Sequence, residues 1–183
     1  MDLSSIAKTL MWHKESDDDH SGGGIFLTLP DSLAKKYPKD GRAGEDESPP
    51  HITVLYVDEV KKHQKKKGEY LQAIEDVCKK LKRFKLKIGP TRSLVNADNQ
   101  KVYYSSFNSS PLRGLNEKLK KEFDKKKLTY SKKYKSFKPH VTIEYVNEGE
   151  ESKYKDKTIG GEFEVNYLWL WGFGEPSVVF LGG

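Results

Sequence analysis

Two histidines and two threonines are the residues of this sequence best suited to do chemistry, because they recur at one spacing. Pro50-His51-Ile52-Thr53-Val54-Leu55-Tyr56-Val57 is echoed by Pro139-His140-Val141-Thr142-Ile143-Glu144-Tyr145-Val146. The octapeptides agree at five of eight positions, and two of the other three are Ile/Val exchanges. An unperturbed imidazole titrates near about 6.5, so one of a facing pair can be neutral while the other is charged. The neutral ring takes a proton from a nucleophile and the charged ring gives one to a leaving oxygen. A Thr two residues on adds a hydroxyl to the same side, about 6 to 7 Å further along an extended chain. Two such hydroxyls embrace one tetrahedral anion, a demand that a phosphodiester meets.

Other chemistries fit the residues less well. Thr is a poor metal ligand, and Glu144 stands about 13 Å from His140 along an extended strand, so no third ligand offers itself. His13, His20 and Asp17 to Asp19 have no recognised ligand spacing and precede the flexible run Gly22-Gly23-Gly24. No nucleophile elbow is present. Cys78 falls on the apolar stripe Leu71, Ile74, Cys78, Leu81, which suits packing, whereas a reactive thiol needs an exposed electropositive setting. Neither a metal nor a cofactor is expected.

The elements that must carry the four residues are strands, since β-branched residues dominate both octapeptides and strand side chains alternate between faces. His51 and Thr53 share one face. Ile52, Val54 and Tyr56 are expected on the other, toward a core, as are Val141, Ile143 and Tyr145. On strict alternation Glu144 against Leu55 is the one asymmetry on the His/Thr face, and a carboxylate there would favour a charged His140. The Pro before each His suits a strand start, where no ladder hydrogen bond is lost.

Around these strands the pattern predicts an N-terminal extension over 1–23, with a short helix through Ile6, Leu10, Met11 and Trp12. A strand at 24–30 follows, then two helical turns capped by Asp31. The loop at 38–50 leads into His51, which makes Tyr37 and Arg42 candidate base and phosphate contacts. Strands are expected at 84–94 and 101–108 around a turn at 96–99, and Pro111, Leu112, Leu115, Leu119 and Phe123 mark a helix. The run Lys125 to Lys138 holds seven lysines, no acids, and interleaved Tyr130, Tyr134 and Phe137. Cations mixed with aromatics grip phosphate and stack on bases, so Tyr130 and Lys138 join the candidates. Two strands flank residues 172–176, with Tyr167, Trp169 and Trp171 on one face and Trp169 as a candidate base platform. Strands joined largely by hairpins, with helices not regularly alternating, give an α+β class, two similar halves flanking a cleft, in one domain over 24–183.

Composition reads as a soluble globular protein with a heavily charged surface. The 183 residues are 35% hydrophobic and 33% charged, with net charge +6, a mild bias toward anionic partners. No membrane span or secretory signal is legible, and one cysteine forms no internal disulfide, so a cytoplasmic monomer is expected.

His51-Ile52-Thr53-Val54 and His140-Val141-Thr142-Ile143 resemble the duplicated His-hydrophobic-Thr/Ser-hydrophobic signature of the two-histidine phosphoesterase superfamily. The resemblance covers residues 24–182. It implies a bilobal α+β fold and a metal-independent nucleotide phosphodiesterase, with His51, Thr53, His140 and Thr142 as the catalytic and phosphate-holding set. Its substrates would be cyclic oligonucleotide messengers, 2',3'-cyclic phosphates or 2',5'-linked oligonucleotides. The alternative is an RNA- or nucleotide-binding module without turnover.

Overall fold

The structure, a computed structural model, describes residues 22–38, 49–96, 99–134, 136–147 and 149–182. In chain order these form β1 (Gly23–Thr28), α1 (Asp31–Ala34), β2 (His51–Val57) and α2 (Val60–His63). A 3-10 turn (Gln64–Lys66) leads into α3 (Lys67–Cys78), then β3 (Phe84–Lys87), β4 (Thr91–Val95), β5 (Lys101–Ser106) and α4 (Ser110–Lys125). The chain closes with β6 (His140–Val146), β7 (Glu162–Val165), β8 (Tyr167–Trp171) and β9 (Ser177–Phe180). The expected α+β class holds: every strand pairing is antiparallel.

Three sheets result, in the orders β2-β1-β8-β9, β4-β5-β6 and β3-β7. The two larger sheets meet along β2 and β6, and α4 lies against α3 and β2. One core joins them, with Ile25, Ile52 and Val54 from one sheet, Tyr103, Val141 and Ile143 from the other, and Ile74, Leu115 and Leu119 from the helices. The apolar stripe of α4 explains its place there. Ser109 caps it, its Oγ accepting from the Leu112 amide at 3.2 Å, and Pro111 fits the first turn, where an amide is spare.

Several boundaries differ from the sequence-based expectation. The stretch 84–94 is two strands in different sheets, broken at Gly89-Pro90. Gly89 donates its amide to the Ser106 carbonyl at 2.8 Å, an approach that a Cβ, 2.7 Å from that oxygen, would crowd, and Pro90 has no amide to pass on to a further strand, so this pair marks the crossing from one sheet to the other. The tail holds three strands, because Asn166 separates β7 from β8. Helix α1 is a single turn with Pro30 at its cap and no side-chain cap bond, so Asp31 lies inside the helix. Gly23 and Gly24 belong to β1: a Cβ at Gly23 would meet the Trp171 carbonyl at 2.4 Å, and Gly24 has φ +152°. The N-terminal helix through Trp12 lies outside the described residues.

Both His strands carry a β-bulge at one equivalent place. Phe26 pairs with Thr53 but Ile25 with Leu55, so Val54 is the extra residue; Tyr104 pairs with Thr142 but Tyr103 with Glu144, so Ile143 is extra. Strict alternation therefore fails after the third residue. Leu55 and Glu144 turn toward the sides of Ile25 and Tyr103, which face the core, so Glu144 does not share the His/Thr face. Tyr56 and Tyr145 turn the other way, onto the face of the histidines, opposite Gly24 and Val102. The carbonyl of the extra residue Val54 accepts a hydrogen bond from Asn116 Nδ2 at 2.6 Å, supplied by α4.

Candidate active site

Each histidine opens its strand and is oriented in the same way. His51 Nδ1 lies 2.9 Å from the Pro49 carbonyl, and His140 Nδ1 lies 2.8 Å from the Lys138 carbonyl. A carbonyl only accepts, so in both rings Nδ1 carries the proton and Nε2 is the nitrogen left for proton transfer. The prolines between acceptor and His are tied alike: the amides of Leu29 and Phe107 donate to the Pro50 and Pro139 carbonyls at 3.0 and 3.2 Å. The repeated Pro thus does more than tolerate a strand start. It fixes φ in the turn that aims the preceding carbonyl at the ring.

Neighbouring strands extend the correspondence. Thr28 stands opposite His51 and Ser106 opposite His140, so each ring has a hydroxyl across the strand pair as well as Thr53 or Thr142 two residues along. Thr28 is 8% exposed and its hydroxyl has no partner among the described residues, whereas Ser106 Oγ donates to the Pro90 carbonyl at 2.8 Å. His51, Thr53, His140 and Thr142 are all half-buried, which leaves them reachable yet partly desolvated.

Aromatic rings flank both histidines. Phe26 and Trp171 meet the His51 ring edge-on at 5.2 and 5.9 Å between centroids, and Tyr104 meets His140 at 5.3 Å. Phe26 and Tyr104 did not stand out in the sequence, because cross-strand pairing, not chain proximity, brings them to the motifs, and of the aromatic stripe Trp169 rather than Trp171 was the expected platform. The signal available was the period-2 aromatic pattern of Tyr167, Trp169 and Trp171, opposite Leu168 and Leu170 in the main core.

The remaining candidates are scattered. Trp169 does lie on the His51 face, but at 3% exposure it is closed in by Phe26, Tyr167, Trp171 and Val178; the half-exposed indole of that face is Trp171. Tyr37, 4% exposed, belongs to the core and donates its hydroxyl to Ser105 Oγ at 2.9 Å. Tyr130 packs toward Phe123, donates to Asp124 Oδ2 at 3.1 Å, and has Lys132 Nζ 3.7 Å from its ring centroid. Lys138 is exposed, and its main chain rather than its ammonium serves His140. Arg42 lies outside the described residues. Within the lysine-rich run, Lys126 pairs with Asp76 at 2.8 Å, Lys132 with Asp124 at 3.4 Å and Lys133 with Asp58 at 3.5 Å, so much of its charge is locally balanced.

Burial pushes the Cys78 thiol up to about 12, with Glu75 adding to the effect, which makes it inert. Among the described residues no three His, Cys, Asp or Glu side chains converge as a metal site, and no helix is long and apolar enough to cross a membrane.

Residues 31–175 match the family model described as the 2'-5' RNA ligase superfamily. A comparison with curated proteins gave no match. Among solved structures the fold is similar to TT0787 of Thermus thermophilus, at 16% identity, TM-score 0.62, 87% of this chain and 94% of that one. It is also similar to Kluyveromyces marxianus Usb1 with uridine monophosphate, at 13% identity and TM-score 0.56 over 89% and 99% of the two chains. Escherichia coli LigT complexed with 3'-AMP gives 13% identity and TM-score 0.51 over 91% and 100%.

Proposed function

Because the chain belongs to the 2'-5' RNA ligase superfamily, the two-histidine phosphoesterases, we propose that it is a metal-independent phosphodiesterase acting on nucleotides, with His51 and His140 as paired acid and base. The observation that carries this reading is the matched pair of Nδ1 contacts to main-chain carbonyls, which gives both rings the tautomer that proton transfer through Nε2 requires. Likeness to LigT complexed with 3'-AMP and to Usb1 with uridine monophosphate supports a nucleotide ligand.

In the proposed reaction the neutral imidazole takes a proton from water, or from a ribose hydroxyl beside the phosphate, as that oxygen bonds to phosphorus. The opposite P–O bond breaks, and its oxygen takes the proton carried by the other, charged imidazole. Thr53 and Thr142 donate to the phosphoryl oxygens that gain charge in the transition state. Substrates of this chemistry are cyclic oligonucleotides, 2',3'-cyclic phosphates and 2',5'-linked oligonucleotides. A buried, unpaired cysteine suits a cytoplasmic setting.

The test is chromatographic product analysis, with EDTA present, of those three substrate classes, alongside His140→Ala. Turnover of one class that vanishes in the variant is the expected result. Binding without product from any class would favour the binding-module reading, and turnover abolished by EDTA would overturn metal independence.

A further inference from the structure

The two motifs are nearly identical, but the strands beside them are not. Following the pairing outward, Thr53 stands opposite Phe26 and Phe26 opposite Trp169; Thr142 stands opposite Tyr104 and Tyr104 opposite Arg92. The pseudo-equivalent third-strand positions thus hold a buried indole on the His51 side and an exposed guanidinium on the His140 side.

On the His51 side the face is a continuous aromatic surface. Phe26 and Trp171 lie 5.3 Å apart between centroids and both touch His51, while Trp169 and Tyr167 extend the surface at 6.0 Å. Among the described residues, β1, β2, β8 and β9 place no Lys or Arg on this face. On the His140 side the Arg92 side chain makes no hydrogen bond, ion pair or ring contact among the described residues. Lys101, the other pairing cation of that sheet, is spent on Glu151 at 2.8 Å. Arg92 therefore presents an unneutralised planar cation on the His/Thr face, two strand spacings, about 10 Å, from the Thr142 backbone. Tyr104 lies between them. Arg is the side chain suited to bidentate phosphate recognition, and from beyond Tyr104 it addresses a group other than the reacting phosphate.

We propose that Arg92 binds a second phosphate of the substrate, so that the enzyme prefers oligonucleotides carrying at least two phosphates, held in one direction with a base against Trp171 and the further phosphate at Arg92. This rests on the nucleotide phosphodiesterase reading above. It makes Arg92 a specificity-determining residue, not a catalytic one, and it breaks the near-symmetry of the motifs by means of their neighbours.

The experiment compares substrates that share a reacting bond and differ in carrying one phosphate or two. One pair is a nucleoside 2',3'-cyclic phosphate against a dinucleotide ending in the same group, where the added phosphate bridges. The other is 2',5'-diadenylate against its 5'-phosphorylated form, where it is terminal. Arg92→Gln is expected to lower kcat/KM about tenfold or more for the two-phosphate member, through KM, and to leave the one-phosphate member within about twofold. Arg92→Lys retains part of the preference, because a point charge keeps attraction without the fork. Added salt weakens binding of the larger ligand less in Arg92→Gln than in the wild type. Equal effects on both members, or none, overturn the proposal, and the pair that responds shows whether the phosphate is bridging or terminal. The same pairs are titrated against His140→Ala by tryptophan fluorescence. A phosphate-dependent loss of binding in the Arg92→Gln, His140→Ala double variant, with no turnover by the wild type, would sink the phosphodiesterase reading while leaving this one standing. Failure of both larger ligands to bind more tightly than their partners overturns it regardless of turnover.

Discussion

Asn116 offers a quantitative test of how the His51 strand is held. The bulge at Val54 turns that residue's carbonyl out of the ladder, and Asn116, 3% exposed on α4 between Leu112, Leu115 and Leu119, donates Nδ2 to it at 2.6 Å. Asn116→Leu keeps the number and branching of side-chain heavy atoms but removes the donor. The lost hydrogen bond counts for about 1 kcal/mol, and the carbonyl left buried and unpaired for about 1 to 3 kcal/mol more. Added apolar contact from Leu offsets part of this, leaving a loss of about 2 kcal/mol. For a chain of 183 residues that lowers the melting midpoint by about 4 to 8 °C. Urea denaturation followed by tryptophan fluorescence measures it, with an unchanged slope showing that the unfolded state is not the cause. Arg113→Ala, which loses only two exposed bonds to Asn108 Oδ1, is the control and should stay within about 0.5 kcal/mol. Were Asn116→Leu to stay within the same limit, the bulge would be held by the sheet itself and the role given to Asn116 would be wrong.

Further outcomes follow from the same structure. His51→Ala and His140→Ala each lose at least about 10³ in rate while stability falls by less than about 1 kcal/mol, since both rings are half-buried; thermal melting beside the substrate assay separates this from core histidines, whose loss would unfold the protein. Thr53→Ala and Thr142→Ala lose less rate than either His change. Cys78 resists thiol reagents in the native state, and its pH effect has a definite sign. The thiol, ordinarily near 9.0, is raised to about 12 in the fold, so above about pH 9 the unfolded chain releases a proton that the folded one keeps. Stability is therefore lost as pH rises across that window, and Cys78→Ala flattens this part of the curve measured by denaturant titration.

What could be read from the chain was whatever depends on local pattern. The repeat, the strand character of both copies, the apolar stripe of Ile74, Cys78, Leu115 and Leu119, and the α+β class all rest on periodicity within a few residues. The bulges were not legible, because Val54 and Ile143 are good strand formers and nothing in their identity says that the partner strand skips them. Misplacing Glu144 and Tyr145 followed directly. Arg92, Tyr104 and Phe26 escaped notice, and Trp171 was passed over for Trp169 in the same stripe, for a related reason: they reach the motifs through pairing registers set by the whole sheet. The lysine-rich run looked like a phosphate grip because its partners, Asp76 and Asp58, lie far off in sequence.

The way the two imidazoles are held has a consequence for how the protein tolerates change. Many catalytic histidines lean on a carboxylate, which one substitution can delete. Here the acceptors are the main-chain oxygens of Pro49 and Lys138, and no replacement of either side chain removes a carbonyl. The tautomers are thus insulated from point mutation at the partner position. The vulnerable residues are Pro50 and Pro139, whose rings shape the peptide path, so errors accumulating by chance around the motifs would blunt activity there before they touched the hydrogen bonds themselves.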